Sequence, residues 1–460
     1  MILLLPALMA VLAALAATQV PASLAIGRAA GGMGVAFAIS LALAIAAGTG
    51  AIAAPGLSLA LLVLTSFVAT IVLAFSQRYL RADRAPRRFA AMVAALAASV
   101  LAVVVLDNVV AFAAAWLLSG QLLARLIGHV DGWAEARAAA ARARRAFIFG
   151  DVALLTALAL AAAHAGSLSL GVIVSAETSF EPEVLIAIAA LVLVAAMTRS
   201  ALPPFESWLI GSMTAPTPVS ALMHAGLVNA GGFLLIRFAP VIEAAPAVQL
   251  AAIIAGTIAA LWGTGIALVR PDIKRALAGS TVAQMGFMIL SCGLGAYGAA
   301  LWHLIAHGLF KAWLFLASGS AIGTPSAPAL RRPDATVAGA VAVLVLGLGG
   351  VMLWTGGASA TLLPLMLATA TGVMTLVSAA NATTPRWPQL IGLGALLAAG
   401  HAAGLLLIER AVPQIGTAPV TGPLVLVLAL PFLLLWVWQA RRATLPPSLY
   451  VRLLNAGLAA

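Results

Sequence analysis

Residues 297–321, YGAALWHLIAHGLFKAWLFLASGSA, set two histidines and a lysine inside a segment otherwise apolar enough to cross a bilayer. His303, His307 and Lys311 stand at i, i+4 and i+8. At ~100° per residue they drift only ~80° around a helix, so they share one face and climb it in steps of ~6 Å. An ammonium at membrane depth is costly and marks a functional site by default. Only two of the 24 Lys and Arg residues are lysines, Lys274 and Lys311, so a lysine here is a pointed choice.

Composition extends that constraint to the whole chain. It is 63% hydrophobic and 8% charged, with a mean hydropathy of +1.13. Soluble domains carry about a quarter charged residues. A polytopic, all-α membrane bundle fits, and 460 residues hold about 13–15 spans of ~20 residues. The expected spans are 1–18, 31–50, 55–76, 89–106, 108–127, 146–165, 184–202, 217–239, 247–269, 277–294, 297–321, 336–354, 359–380, 389–408 and 421–440. Residues 1–460 read as a single integral membrane domain, with a short tail at 441–460. The first 18 residues lack a basic leader and read as a first span rather than a cleaved signal. One cysteine, Cys292, implies neither a disulfide framework nor a thiolate metal site.

Arginine placement sets the topology. Arg28, then Arg78 to Arg88, Arg137 to Arg145, Arg270 with Lys274 and Arg275, Arg331 with Arg332, Arg386, and Arg441 with Arg442 all fall in loops on one side of this span order. The opposite side holds Glu177, Glu181, Glu183, Glu243 and Glu409, with Arg237 and Arg410 as its few bases. The positive-inside rule then predicts a cytoplasmic basic side, an N-terminus outside and a cytoplasmic C-terminus. It also accounts for the net charge of +11 without nucleic acid. The stretch 129–145 reads as a short helix on the cytoplasmic surface, its arginines meeting anionic lipid; a docking site for a partner is the other reading.

Several polar positions join the central three. Span 7 ends in MTRSALPPFESWL, where Pro203 and Pro204 break the helix just after Arg199. Such a break is tolerated only against protein or water. Glu206, seven residues on, is the expected partner of Arg199, and snorkelling to the surface is the bland alternative. Span 8 starts at Pro216 and Pro218 and carries His224 one to two turns inside; a lone histidine in such a helix is more often a packing residue than a relay. Asp272 and Lys274 open span 10, with Asp272 read as an N-cap. Asp107, beside Asn108, is read as a cap of span 5. Asp151, one turn into span 6, is expected to pair with Arg144 or Arg145. His303 and His307 have the spacing of a zinc pair, but Leu304 occupies the place of an HExxH glutamate and no third ligand is near, so no metal is expected. His401 and Glu409 read as packing and interface residues. Imidazole gains and loses protons near pH 6.5 and a buried lysine can join it, whereas arginine stays charged and acts as an electrostatic gate. Broken spans frame ion sites in transporters. These residues by themselves imply a proton or cation conduit.

The segments SALPPFESWLIGSMTAPTPVSALMHAG, DIKRALAGSTVAQMGFMIL and HLIAHGLFKAWLFLASG resemble the antiporter-like membrane subunits of respiratory complex I and of multisubunit Na⁺/H⁺ antiporters. The resemblance implies an antiporter-like core over about 60–325, helices at 336–440, and a relay of Arg199, His224, His303, His307 and Lys311. Glu206, Asp272, Lys274 and Asp151 would be gating or supporting residues. Three family features are missing: Leu117 stands where the family's glutamate follows tryptophan, Arg199 replaces the gate lysine, and the lysine motif of span 12 is absent. Those losses, with HAGLVNAGGFLL, QMGFMILSCGLGAYGAALWHLIAHGLFKA and SLYVRLLNAGL, are similar to the membrane subunit (DabB family) of the two-component inorganic carbon transporter. That likeness implies a cytoplasmic, zinc-containing, carbonic-anhydrase-like DabA-type partner, which hydrates CO₂ on the strength of ion flow through this chain, in a bacterial inner membrane. The zinc would be the partner's, with no cofactor in this chain. The alternatives are a proton-translocating subunit of a complex I-like NADH dehydrogenase, a membrane hydrogenase or a multisubunit Na⁺/H⁺ antiporter, and, from another class, a structural membrane anchor. The absence of a dense carboxylate cage favours H⁺ over Na⁺.

Overall fold

The computed structural model describes residues 1–175, 179–321, 335–354, 362–382, 423–440 and 445–456, with isolated positions at 360 and between 392 and 408. The chain is an α-helical membrane bundle. In order, the helices are α1 (Leu5–Gln19), α2 (Ala22–Gly48), α3 (Gly56–Tyr79), α4 (Pro86–Val105), α5 (Val109–Ile127), α6 (Ala134–Ala165), α7 (Leu170–Ser175), α8 (Pro182–Arg199), α9 (Ser207–Ile210), α10 (Thr217–Ala225), α11 (Ala230–Arg237), α12 (Ala239–Glu243), α13 (Pro246–Val269), α14 (Ile273–Gly293) and α15 (Tyr297–Ala317). Beyond them lie α16 (Ala335–Trp354), α17 (Leu362–Ala382), α18 (Pro423–Ala440) and α19 (Pro447–Asn455). Among the described residues eleven helical segments are long and apolar enough to cross a membrane, and the only β pairing is the isolated bridge between Asn108 and Ser169. Helices α16, α17 and α18 fall at three further expected spans and contribute shorter apolar runs. The expected span at 389–408 is described at isolated positions only, and His401 and Glu409, with Glu177, Arg331, Arg332, Arg386, Arg410, Arg441 and Arg442, lie outside the described residues.

Three expectations change. Span 2 was expected from residue 31, but α2 starts at Ala22, so Arg28 sits within its second turn rather than in a loop. The stretch 129–145 is not a separate surface helix: from Ala134 it runs straight into span 6 as one 32-residue helix. Its alanine-rich sequence has no proline to stop it, and it ends only where Gly166 takes a left-handed φ of 60°. Finally, residues 447–455 of the tail are helical; Leu453 of α19 is buried against Ile210, Ile266 and Val269.

Close helix approach comes from missing side chains. A Cβ at Gly263 would lie 2.3 Å from the Ala283 nitrogen, and one at Gly286 would lie 2.4 Å from that of Ala260. Glycine therefore lets α13 and α14 meet backbone to backbone, the packing that dispersion favours where lipid supplies no hydrophobic drive. Helix α15 packs against α14, α10 and α3, and α10 packs against α15 and α3, so the central basic residues face protein on their own helices' inner side. The outer side of α15 carries exposed Phe310 and Trp313.

Candidate functional site

Two helix breaks lie side by side at the centre. Span 7 stops at Arg199 and resumes at α9 after Pro203 and Pro204. Span 8 is interrupted between α10 and α11 by a 3₁₀ turn, Leu227–Asn229. Each break frees carbonyls that lipid cannot satisfy, and side chains satisfy them. Trp208 Nε1 donates to the Thr198 carbonyl at 2.9 Å, Ser200 Oγ donates to Val228 at 2.8 Å, and Asn229 Nδ2 donates to Ala225 at 2.8 Å. A Cβ at Gly231 would lie 2.3 Å from the Ala196 carbonyl oxygen, so glycine there lets the two broken spans touch.

Arg199 is buried to 4% exposure beside this junction. Its Nη2 lies 2.8 Å from Asp151 Oδ1, and the same nitrogen donates to the Trp116 carbonyl at 3.1 Å. The guanidinium carbon lies 4.7 Å from the Trp116 ring centroid and 4.8 Å from that of Phe147. Trp116 Nε1 also donates to Asp151 at 3.0 Å. The guanidinium is therefore paired through Nη2, stacked on two aromatic faces and shielded, an arrangement suited to a planar cation. Two expectations are corrected here. Asp151 pairs with Arg199, not with Arg144 or Arg145, because it faces inward from α6. Glu206 is not the partner of Arg199; it lies beyond the break and accepts from Trp262 Nε1 at 3.1 Å. The room for the guanidinium comes from Gly120, where a Cβ would fall 2.7 Å from Arg199 Nη2.

A second group gathers along one stripe of α14. Asp272 caps this helix by accepting from the Arg275 backbone nitrogen at 2.8 Å, as expected of it. Lys274 Nζ donates to the Ala215 carbonyl at 3.3 Å. The Leu277 carbonyl accepts from Lys311 Nζ at 3.1 Å and from Thr281 Oγ1 at 2.9 Å. Because Thr281 donates there, its oxygen accepts from His224 Nδ1 at 2.9 Å. That assigns the Nδ1–H tautomer to His224 and leaves Nε2 as an acceptor. His224 stacks on Phe315 at 4.3 Å, and His303 stacks on His307 at 5.6 Å between ring centroids. The Nε2 atoms of His224, His303 and His307 are shielded and have no hydrogen-bond partner among the described residues. Gly308 permits this closeness: a Cβ there would lie 2.6 Å from the Ala225 carbonyl oxygen.

The structure thus brings His224, Lys311, Thr281 and the His303–His307 pair into one seam, with Lys274 at its basic-loop end, while Arg199, paired with Asp151, borders a small cavity. That cavity, about 50 Å³, is lined by Arg199, Trp116, Asn229, Gly226, Phe233 and Leu304 among others. Thr281 and Trp116 are the residues that sequence reasoning passed over. Thr281 follows Lys274 by seven positions, two helical turns on the same face, and that periodicity was the available signal. Asp107 is also reassigned. Asn108 caps α5 through Val110 and Ala111, while Asp107 lies 3.6 Å from Arg237 and accepts from the Gly171 nitrogen at 2.8 Å. Among the described residues no cluster of three His, Cys, Asp or Glu side chains has metal-holding geometry.

Broken spans stitched together around buried basic residues define an antiporter-like membrane subunit. Residues 106–384, more than half of the chain, match the family described as NADH:quinone oxidoreductase/Mrp antiporter, TM, and the chain belongs to that family. A probable inorganic carbon transporter subunit DabB of Bacillus anthracis is 42% identical over 266 residues, covering 57% of this chain and 52% of its own length. NADH-quinone oxidoreductase subunit L of Mycobacterium tuberculosis is 39% identical over 272 residues, covering 58% of this chain and 42% of its own. The chain therefore spans about half the length of the curated relatives it matches. Among solved structures, the Mrp complex of Dietzia sp. aligns over 100% of this chain and 52% of the matched one, at a TM-score of 0.63 and 24% identity. Respiratory complex I of Thermus thermophilus aligns over 99% of both chains at a TM-score of 0.62 and 18% identity. Both show the same fold.

Proposed function

We propose that this chain is the membrane subunit of an energy-coupled inorganic carbon pump. Protons pass along His303, His307, Lys311 and His224, and their movement drives CO₂ hydration in a zinc-containing, carbonic-anhydrase-like subunit on the basic-loop side, taken as the cytoplasmic face. The zinc belongs to that partner. The observation that carries the conduction reading is the seam on α14: one backbone carbonyl holds Lys311 and, through Thr281, His224, while three imidazole Nε2 atoms stay open. Arg199, locked by Asp151, supplies a fixed charge beside the path, and Lys274, Asp272 and Glu206 support its basic-side end. The carbon-pump reading is supported by the DabB relatives, which include a 40% identical one in Bacillus subtilis.

A second reading has its own support. The match to subunit L and the 37% identical NAD(P)H-quinone oxidoreductase chain 5 of Synechocystis favour a subunit of a proton-translocating oxidoreductase. Mass spectrometry of the natively purified complex separates the two. One large zinc-containing companion supports the pump, whereas many small membrane subunits or redox modules support the oxidoreductase. Lys311→Ala tests conduction in either setting. It is expected to leave the complex assembled and to abolish proton flux; full flux in this variant overturns the pathway.

A further inference from the structure

The face opposite the arginine loops also needs a place where protons enter or leave. Its described carboxylates are Asp107, Glu181, Glu183 and Glu243. Asp107 is tied to Arg237 and to the Gly171 nitrogen. Glu181 and Glu183 are exposed. Glu243 differs from all three: it is half-buried, and among the described residues it forms no ion pair and its fully shielded Oε1 has no hydrogen-bond partner.

Its position gives that oxygen a purpose. Glu243 ends α12, whose five residues pack against α7, α8, α11 and α13. The carboxylate lies over the turn between α14 and α15, where a Cβ built on Gly295 would be 3.7 Å from Oε1. Gly295 has a φ of 78°, so the turn that admits the carboxylate is one that favours glycine. Two residues on, Tyr297 is buried at the start of α15 and its hydroxyl reaches the Ala239 carbonyl of α12 at 3.5 Å. Tyr297 and Cys292 are the titratable groups facing this site from α15 and α14. Among its described residues α7 offers none, α13 offers none, α8 offers the exposed Glu183 with exposed Glu181 just before it, and Arg237 of α11 is engaged with Asp107. From Tyr297, six residues along α15 lead to His303, a rise of about 9 Å.

We infer that Glu243 is the proton-exchange carboxyl at the mouth of the pathway on the face opposite the arginine loops. This rests on the proton-pathway reading above. In each transfer the carboxylate takes a proton from hydronium, which leaves as water, and releases it toward the open Nε2 of His303, returning as the carboxylate; in the reverse direction the imidazolium gives the proton back. Burial pushes the carboxyl up to about 7, so acid and base forms coexist near neutrality, as a shuttling group requires. The carboxyl is protonated below that pH and ionised above it.

The test uses the full chain with its companion subunits, reconstituted in liposomes and driven by a potassium diffusion potential while a pH dye reports flux. Glu243→Gln keeps the shape and removes the exchange. It is expected to lower flux by at least about tenfold and to remove its dependence on the pH facing Glu243 near neutrality. Glu243→Asp is expected to retain part of the flux, with the pH midpoint moved; it carries the test if the glutamine variant does not assemble. Unchanged flux and pH profile in these variants, beside a dead Lys311→Ala, overturn the port and leave the pathway standing. Full flux in Lys311→Ala overturns both.

Discussion

Arg199 and Lys311 are both cations buried in the same bundle, and they are held in opposite ways. Arg199 has a carboxylate, a carbonyl and two aromatic faces around it. Lys311 has one carbonyl, shared with a threonine, and looks onto imidazoles with open nitrogens. A guanidinium stays protonated and rewards a rigid, many-sided cradle; an ammonium is a point charge whose proton can leave when its surroundings are sparse. The first site therefore reads as a fixed charge and the second as an exchangeable one. Burial alone does not mark a relay, since the number of competing partners decides whether a proton can move.

The largest effect is expected at Asp151. Asp151→Asn leaves the Arg199 charge buried without its counter-ion, and such single removals cost roughly 3–5 kcal/mol. The expected result is a large drop in the thermal unfolding midpoint of the purified chain, or failure to accumulate. Removing both charges together with Arg199→Leu and Asp151→Leu is expected to do less harm than Asp151→Asn alone, because no orphan ion remains. An Asp151→Asn protein as stable as the parent would show that Arg199 is not held as a fixed charge.

Gly308→Ala comes next. Its Cβ would sit 2.6 Å from the Ala225 oxygen, a backbone atom that cannot rotate away. Overpacking of that kind costs about 1–3 kcal/mol, and it is expected to spread α10 from α15 and lower proton flux with the midpoint. Thr281→Val is milder. It removes the hydroxyl between His224 and Leu277, at about 1 kcal/mol, and should reduce flux far more than stability. Equal losses of both would make the α14 seam structural rather than conductive.

How much of this could be read in the sequence follows from the range of each interaction. The spans, the break after Arg199 and the shared face of His303, His307 and Lys311 depend on neighbours within a few turns, and periodicity exposed them. The Asp272 cap is local for the same reason. The Asp151–Arg199 pair joins residues 48 apart on different helices, and only packing decides which way an acid within an apolar stretch of helix points. Nearness along the chain suggested Arg144, Arg145 and Glu206 instead. The docking of α19 was hidden in a similar way, because Leu453 meets Gly265 across the fold, where its Cδ atoms would lie 3.0 Å from a glycine Cβ.

The smallest effect is the sharpest control. Arg88 Nη1 lies 2.8 Å from Asp131 Oδ2, the same distance as in the Arg199–Asp151 pair. Here the side chains are 46% and 74% exposed rather than 4% each. The Arg88 guanidinium, by hydrogen bond and charge, holds the Asp131 carboxyl below the usual carboxylate range. A depressed carboxyl stabilises the fold only above its ordinary value, and that contribution fades as pH falls through the depressed one. Water and salt screen such a pair. Asp131→Asn is therefore expected to leave the unfolding midpoint at neutral pH unchanged within error, while the identical change at Asp151 lowers it sharply. If the two substitutions cost the same, geometry alone sets the strength of these pairs, and the dry setting of Arg199 has no part in fixing its charge.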